Sequence, residues 1–176
     1  MSILGKIVRV LNEAPYVVRA FLRGSERIEG IEVYGRQEFR RAVTRALLLL
    51  CDKKLQAWDT LTQHVDSIIE GTRTFVIVTA HPAFMFVSGP GSVQEPEFLA
   101  ATISFMACST QLHRTYEAEF PGRRVPRDIY SSGSAARERC EKAYHECLLA
   151  LGKAPSKPHS GISPDTKNPH TTRSGT

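Results

Sequence analysis

The chain has 176 residues, a length that suits one domain and is too short for two ordinary ones. Hydrophobic residues make up 41% and charged residues 23%, which is typical of a globular protein and excludes a wholly disordered chain. The net charge is +5, but residues 153–176 hold four basic residues and one acidic residue and so carry +3 of it. The rest of the chain is nearly neutral, which argues against a dedicated nucleic-acid-binding protein.

The N-terminal residues do not read as a secretory signal, because Lys6 and Arg9 interrupt the apolar positions and Asn12-Glu13 stand where a cleavage site is expected. No stretch approaches the roughly 18 apolar residues of a membrane span. We therefore expect a soluble, cytoplasmic protein without a transmembrane segment.

The cysteines are too few and too scattered for a disulfide framework, and none has zinc-finger spacing. They are Cys51, Cys108, Cys140 and Cys147. Cys108 and Cys140 are predicted to lie on neighbouring helices, and the sequence leaves open whether their side chains are close.

Residues 1–24 are predicted to form two short helices. Over residues 3–11, apolar side chains recur at i, i+4 and i+8 with two basic residues between them, which is an amphipathic helical pattern. Asn12 can cap a second helix that ends at Gly24. A basic amphipathic segment can lie on a membrane surface, but this apolar stripe is short, and we expect it to pack on its own domain.

Residues 25–152 are predicted to form the folded domain. A short strand at Ile31–Tyr34 precedes a long helix with an apolar face, and a second helix is predicted from Asp52 to Gly71, where apolar residues keep helical spacing. Four basic residues share the opposite face of the first helix. We interpret this face as solvated, in preference to a nucleic-acid site. These residues are Arg36, Arg40, Arg41 and Arg45.

Two β-branched and aromatic runs, Thr74–Thr79 and Ala83–Ser88, predict an antiparallel hairpin. His81, in the turn between them, is a possible ligand or base. It has no partner in the sequence, so we favour a structural turn residue.

The next helix begins at Pro96 and ends before Pro121, and its first three turns are apolar on every face, so we expect it to be buried. A final amphipathic helix is predicted over residues 135–151. The fold class is therefore α+β and mainly helical, with a small antiparallel hairpin beside a buried central helix. Residues 153–176, rich in Pro, Ser and Thr, are predicted to be a disordered tail.

Residues 99–114 read Leu-Ala-Ala-Thr-Ile-Ser-Phe-Met-Ala-Cys-Ser-Thr-Gln-Leu-His-Arg. They resemble the active-site helix of the zincin metallopeptidase family, which reads roughly Leu-Ala-x-x-Ile-x-His-Glu-Ala-Cys-His-x-x-x-x-Arg. A Tyr130–Gly133 element and a final helix ending in Leu-Gly extend the similarity, as does the order of helix, strands, active-site helix and downstream helix. The resemblance covers residues 31–152 and implies a zincin-like domain.

In that family two histidines bind zinc and the glutamate acts on the metal-bound water. The matching positions here are Phe105, Met106 and Ser109, which supply neither the ligands nor the base. The resemblance therefore implies the fold without the activity: a catalytically inactive domain, with no cofactor, that works by binding another protein. If the ligands were restored, Glu138 or Glu141 is the expected third ligand.

Two alternatives remain. The first is a metal-dependent hydrolase that uses His113, Glu117 and His145, with Glu141 as a further oxygen ligand, since these residues form i, i+4 pairs on two helices. The same pairs are more typical of ordinary helix-surface contacts, which we favour. The second alternative is an accessory protein that binds nucleic acid or a membrane surface through the N-terminal helices and the arginines at 36–45 and 123–127. We regard nucleic acid as the less favoured partner.

Overall fold

The computed structural model describes residues 15, 18–78, 82–88, 95–123, 125–126, 129, 131 and 133–155. Strands and helices follow one another in an α+β arrangement, as expected. They are β1 (Ser25–Ile28), β2 (Ile31–Tyr34), α1 (Gln37–Asp52), α2 (Gln56–His64), β3 (Val65–Gly71), β4 (Phe75–Ile77), β5 (Ala83–Ser88), α3 (Pro96–Glu119) and α4 (Ala135–Ala150). Residues 18–22 are also helical, and the predicted helix at 3–11 lies outside the described residues.

The sheet is mixed and has the strand order β1-β2-β3-β5-β4. The three inner strands β2, β3 and β5 run parallel, and the edge strands β1 and β4 pair antiparallel with β2 and β5. Glu29 and Gly30 join β1 to β2 with φ angles of 47° and 95°. Two consecutive positive φ angles match the twist of a tight two-residue hairpin, which explains a glycine at the second position.

The predicted sheet was too small. The runs at 74–79 and 83–88 supply β4 and β5, which pair antiparallel from Phe75 opposite Phe86 to Ile77 opposite Phe84. They form only one edge of a five-stranded mixed sheet, in place of a small hairpin standing beside a helix. His81, in the connection between these strands, lies outside the described residues.

The prediction of one helix from Asp52 to Gly71 was wrong, because α2 ends at His64 and Val65–Gly71 form the central strand β3. Six of the seven residues of β3 are buried. A parallel strand covered on both faces has no apolar-polar alternation, so its apolar residues can also match helical spacing. The break between α1 and α2 is marked by Lys54, whose φ is 49°.

The helix α3 is buried in the centre of the domain, as its apolar sequence predicted. Every residue from Leu99 to Ala107 is buried. The helix packs against α1, α2 and α4, and these helices cover the face of the sheet that carries Val33, Ile68 and Met85. The main hydrophobic core therefore lies between the sheet and the helices, with α3 running through it.

The ends of α4 are held by specific contacts. The Ser134 hydroxyl accepts a hydrogen bond from the backbone N–H of Arg137 at 3.1 Å, which caps the helix N-terminus. At the other end the Lys153 backbone N–H donates to the Leu148 carbonyl at 2.9 Å, and Lys153 Nζ lies 2.6 Å from Glu95 Oε2. Folded structure thus reaches Lys153, one residue past the predicted boundary, and the tail from 156 onward lies outside the described residues.

Candidate functional site

The three positions that match the zincin ligands and base lie in the core. Phe105 and Met106 are each 1% exposed and Ser109 is 0% exposed. Phe105 and Met106 belong to the main hydrophobic cluster between helices and sheet. A phenyl ring has no donor atom for zinc, and a buried thioether cannot accept the proton of a metal-bound water. The donor set at this position therefore does not fit a catalytic zinc.

Arg137 of α4 connects an acid of that helix to this part of α3. The Arg137 guanidinium carbon lies 4.7 Å from the centre of the Phe105 ring, and Arg137 Nε donates to Glu141 Oε1 at 2.7 Å. Arg137 thus links the Glu141 carboxylate to the side of Phe105. Glu138 is exposed, so of the two acids predicted as third ligands, Glu141 is the one that this contact connects to the motif.

The four residues of the alternative metal site are not brought together. His113 Nε2 lies 3.4 Å from Glu117 Oε1, and Glu117 Oε2 also pairs with Arg114 Nη1 at 3.0 Å. Glu141 pairs with Arg137, and the His145 ring packs edge-on against Tyr144 at 5.7 Å. Within the described ranges no group of three or more His, Cys, Asp or Glu residues could hold a metal ion. The geometry gives the predicted metal site no support.

A buried carboxylate that sequence analysis missed lies at the carboxyl end of β3. The side chain of Glu70 is 6% exposed. Its Oε1 accepts hydrogen bonds from Arg36 Nε at 2.7 Å and contacts Nη2 at 2.6 Å, and its Oε2 accepts from the Arg36 backbone N–H at 2.8 Å. Arg23 Nη1 lies 3.5 Å from Oε2. Burial raises the pKa of Glu70, but these hydrogen bonds and charges outweigh it and leave the pKa below its ordinary value.

Two of the four arginines interpreted as a solvated face have structural roles. Arg36 holds Glu70, and Arg40 Nη1 donates to the carbonyl oxygens of Arg23 and Gly35 at 2.8 and 2.5 Å. These bonds fasten the start of α1 to the segment that precedes β1. The interpretation of a purely solvated face therefore holds for neither residue.

A cavity of about 170 Å³ opens between α2, α3 and α4. Polar side chains and two thiols contribute to its lining, among them Gln56, Thr60, Cys108, Gln111, Glu146 and Cys147. Cys108 is half-buried, whereas Cys140 is 0% and Cys147 4% exposed. The thiols of Cys108 and Cys140 are close enough to affect each other's pKa, which answers the question that the sequence left open.

The two thiols of this pair differ in acidity. The hydrogen bond from Cys140 lowers the pKa of Cys108 more than burial raises it, and the charge of Arg139 lowers it further. The same hydrogen bond and complete burial raise the pKa of Cys140 far above its ordinary value. Cys108 is therefore the more acidic thiol of the two. Burial also raises the pKa of Cys147, against a hydrogen bond with Ser104.

The second face of the sheet carries an aromatic cluster, here named the outer sheet face. It consists of Tyr34, Ile69, Phe75, Ile77, Phe84 and Phe86. The helical residues 18–22 cover part of it, with Ala20 1% exposed and the Phe21 ring 4.2 Å from the Tyr34 ring. The same segment leaves Val18, Phe21 and Leu22 partly in solvent, at 55%, 49% and 83% exposed.

Comparison with known proteins identifies no relative. Neither the models of known protein families nor curated proteins nor solved structures match the chain. None of the helices in the described part of the chain is long and apolar enough to cross a membrane. A function must therefore be inferred from the residues and their geometry.

Proposed function

We propose that this chain is a zincin-like domain without catalytic ligands, which acts by binding another protein. The observation that carries the proposal is the burial of Phe105, Met106 and Ser109 at the positions where the resembled helix carries its zinc chemistry. Apolar side chains that fill these positions stabilise the core by about 1.5–3 kcal/mol each relative to exposure. Such a helix stabilises the fold, and the function is then expected at the protein surface.

The order of the elements supports the zincin-like part of the proposal. The long helix α1 precedes the strands β3, β4 and β5, which are followed by the buried helix α3 and the downstream helix α4. This is the order that the resemblance of residues 99–114 implies. The contact of Arg137 with both Phe105 and Glu141, which connects the downstream helix to residues 99–114, is compatible with this proposal.

The surface beside the outer sheet face supports the binding part. A stretch of five residues, 18–22, exposes three large apolar side chains, whereas Ala20 between them is buried against the sheet. Grouped apolar side chains of this kind mark protein-binding surfaces, whereas single exposed ones are ordinary. Arg19 is exposed in the same segment. The partner that fits is a protein with an apolar patch bordered by acidic residues.

The test compares two matched leucine variants. Leu22→Glu changes the most exposed apolar side chain of the proposed surface, and Leu149→Glu places the same charge on α4, where the leucine is 59% exposed. Both changes affect exposed side chains, so we expect each to alter the free energy of unfolding by less than about 0.5 kcal/mol. The tagged wild type and both variants are used to capture proteins from an extract of the source organism, with quantification by mass spectrometry.

The proposal expects a stoichiometric partner that the wild type and the Leu149→Glu variant retain and the Leu22→Glu variant loses. Re-measurement with the purified partner should show at least a tenfold weaker dissociation constant for Leu22→Glu, which corresponds to about 1.4 kcal/mol. Equal binding of the partner by both variants would exclude this surface. Zinc-dependent peptide hydrolysis by the wild type would exclude a non-catalytic role.

A further inference from the structure

We propose that Cys108 and Cys140 form a peroxide-reactive thiol pair. A hydroperoxide in the cavity oxidises Cys108, and Cys140 then reacts with the oxidised Cys108 to form a disulfide. This function lies on the helical side of the domain and is independent of the outer sheet face. It requires an accessible thiol, a buried second thiol in contact with it, and room for the oxidant. The structure provides each of these three features.

The contact between the two thiols is fixed by the packing of α3 against α4. Three contacts follow one another along the antiparallel pair: Lys153 with Glu95, Cys147 with Ser104, and Cys140 with Cys108. The two helices are thus in register over most of the length of α4. A disulfide needs Cα atoms within about 7 Å of each other, so it forms only between side chains that packing already holds together.

Access to the pair is one-sided. Cys108 is half-buried and lines the cavity of about 170 Å³, whereas Cys140 is 0% exposed and does not contribute to the lining. A water molecule occupies about 30 Å³ in the liquid, so a cavity of this size admits hydrogen peroxide or a small organic hydroperoxide. The oxidant therefore reaches Cys108 first, and Cys140 reacts only with what forms on Cys108.

The acidity of the two thiols agrees with Cys108 reacting first. The thiolate is the nucleophilic form of cysteine, and the hydrogen bond from Cys140 together with the charge of Arg139 favours the thiolate at Cys108. The same contact and burial raise the pKa of Cys140, which favours its protonated form. Thr60 and Gln111 line the same cavity and give it polar character.

The reaction balances in two steps. The Cys108 thiolate attacks one oxygen of the hydroperoxide; an S–O bond forms, the O–O bond breaks, and the leaving oxygen takes a proton to become an alcohol or water. The Cys140 sulfur then attacks the Cys108 sulfenic acid. An S–S bond forms, the S–O bond breaks, and the hydroxide leaves as water with the proton of Cys140. Two thiols lose two electrons, and the hydroperoxide accepts them.

The experiment uses the full chain, hydrogen peroxide as the probe, and trypsin digestion without reductant after the remaining thiols are alkylated. Trypsin separates all four cysteines, because Cys51 lies in peptide 46–53, Cys108 in 74–114, Cys140 in 140–142 and Cys147 in 143–153. We expect most of the peroxide-treated protein to contain peptide 74–114 linked to peptide 140–142. The chain should remain monomeric on a non-reducing gel.

Two variants test the order of the steps. Cys140→Ser should stop the reaction at a sulfenic acid on Cys108, which dimedone traps, and Cys108→Ser should leave Cys140 as reactive towards alkylation as before peroxide. Cys51→Ser is the matched control, since Cys51 is a half-buried thiol on α1, and it should form the link as the wild type does. The proposal is overturned if peroxide-treated wild type keeps Cys108 and Cys140 alkylatable, links Cys108 to Cys147, or joins two chains. The digest of the wild type decides this without any variant.

Discussion

Replacement of the buried carboxylate Glu70 by glutamine keeps the size of the side chain and removes its charge. In the wild type both carboxylate oxygens accept hydrogen bonds from Arg36, at 2.7 and 2.8 Å. A glutamine amide has one oxygen and one NH2 group, so whichever way it turns, its NH2 group faces an N–H donor of Arg36. At least one charge-assisted hydrogen bond is therefore lost in a site where water cannot replace it.

The expected cost follows from these contacts. A hydrogen bond to a charged group contributes about 1.5–3 kcal/mol, and the 6% exposure of the Glu70 side chain places this one near the upper part of that range. We expect Glu70→Gln to lower the free energy of unfolding by about 2–3 kcal/mol. For a domain of this size that lowers Tm by roughly 5–10 °C.

The cost should depend on pH with a defined sign. The pKa of Glu70 is lowered from its ordinary value of 4.5 in the folded protein. A lowered folded pKa gives a stabilisation that is complete above the unfolded pKa and disappears as the pH falls through the folded pKa. The difference between wild type and Glu70→Gln should therefore be constant from about pH 6 to 8 and shrink below about pH 4.5.

The assay is denaturant unfolding of both proteins across this pH range, with Glu119→Gln as the control. Glu119 is an exposed acid at the end of α3, so its replacement removes the same charge without a buried contact. We expect the control to match the wild type within about 0.5 kcal/mol. Equal stability of Glu70→Gln and Glu119→Gln at pH 7, or a difference that grows as the pH falls, would refute the reasoning.

Three further predictions concern stability. Gly35→Ala should lower the free energy of unfolding in urea by about 2–4 kcal/mol, because Gly35 has a φ of +149° and an added Cβ would lie 2.6 Å from the Cβ of Glu70. An unchanged free energy of unfolding would contradict this packing. Truncation after residue 155 should leave Tm nearly unchanged, whereas truncation after residue 152 should lower it measurably. Only the second truncation removes the contacts of Lys153. Equal melting temperatures of the two truncated proteins would show that these contacts contribute nothing. A Cys108–Cys140 disulfide formed by peroxide should raise Tm by roughly 10 °C, because closing a loop of this length stabilises the folded protein by about 3–4 kcal/mol. A lower Tm after oxidation would contradict this and indicate a strained bond.

Local patterns predicted the elements whose residues alternate between buried and exposed faces. The strand at Ile31–Tyr34 and the apolar face of α1 have such patterns, and the structure contains both. The strand β3 was predicted as helix because its residues are buried on both faces of the sheet, which removes the alternation. The full sheet could not be derived from the sequence, because its parallel pairings join segments far apart along the chain.

The candidate sites depended still more on long-range contacts. The resemblance around Phe105 and Met106 rests on residues 99–114 alone, which form part of one continuous helix. Arg36, the partner of Glu70, lies 34 residues earlier in the chain, and the sequence around neither residue predicts the pairing. The contact of Cys108 with Cys140 likewise requires the register of α3 against α4, and the sequence predicted only that the two helices are neighbours.

The central proposal is that α3 is a zincin-like helix in which core residues occupy the ligand positions. It is tested most directly by thermal melts, with and without zinc, of the wild type and of the triple variant Phe105→His, Met106→Glu, Ser109→His. The triple variant should melt lower than the wild type without metal, because it buries polar groups without partners. Zinc should then raise its Tm, with Glu141 exchanging its Arg137 partner for the metal as the third ligand, and leave the wild type unchanged. A zinc-dependent rise in the wild type, or none in the triple variant, would contradict the claim.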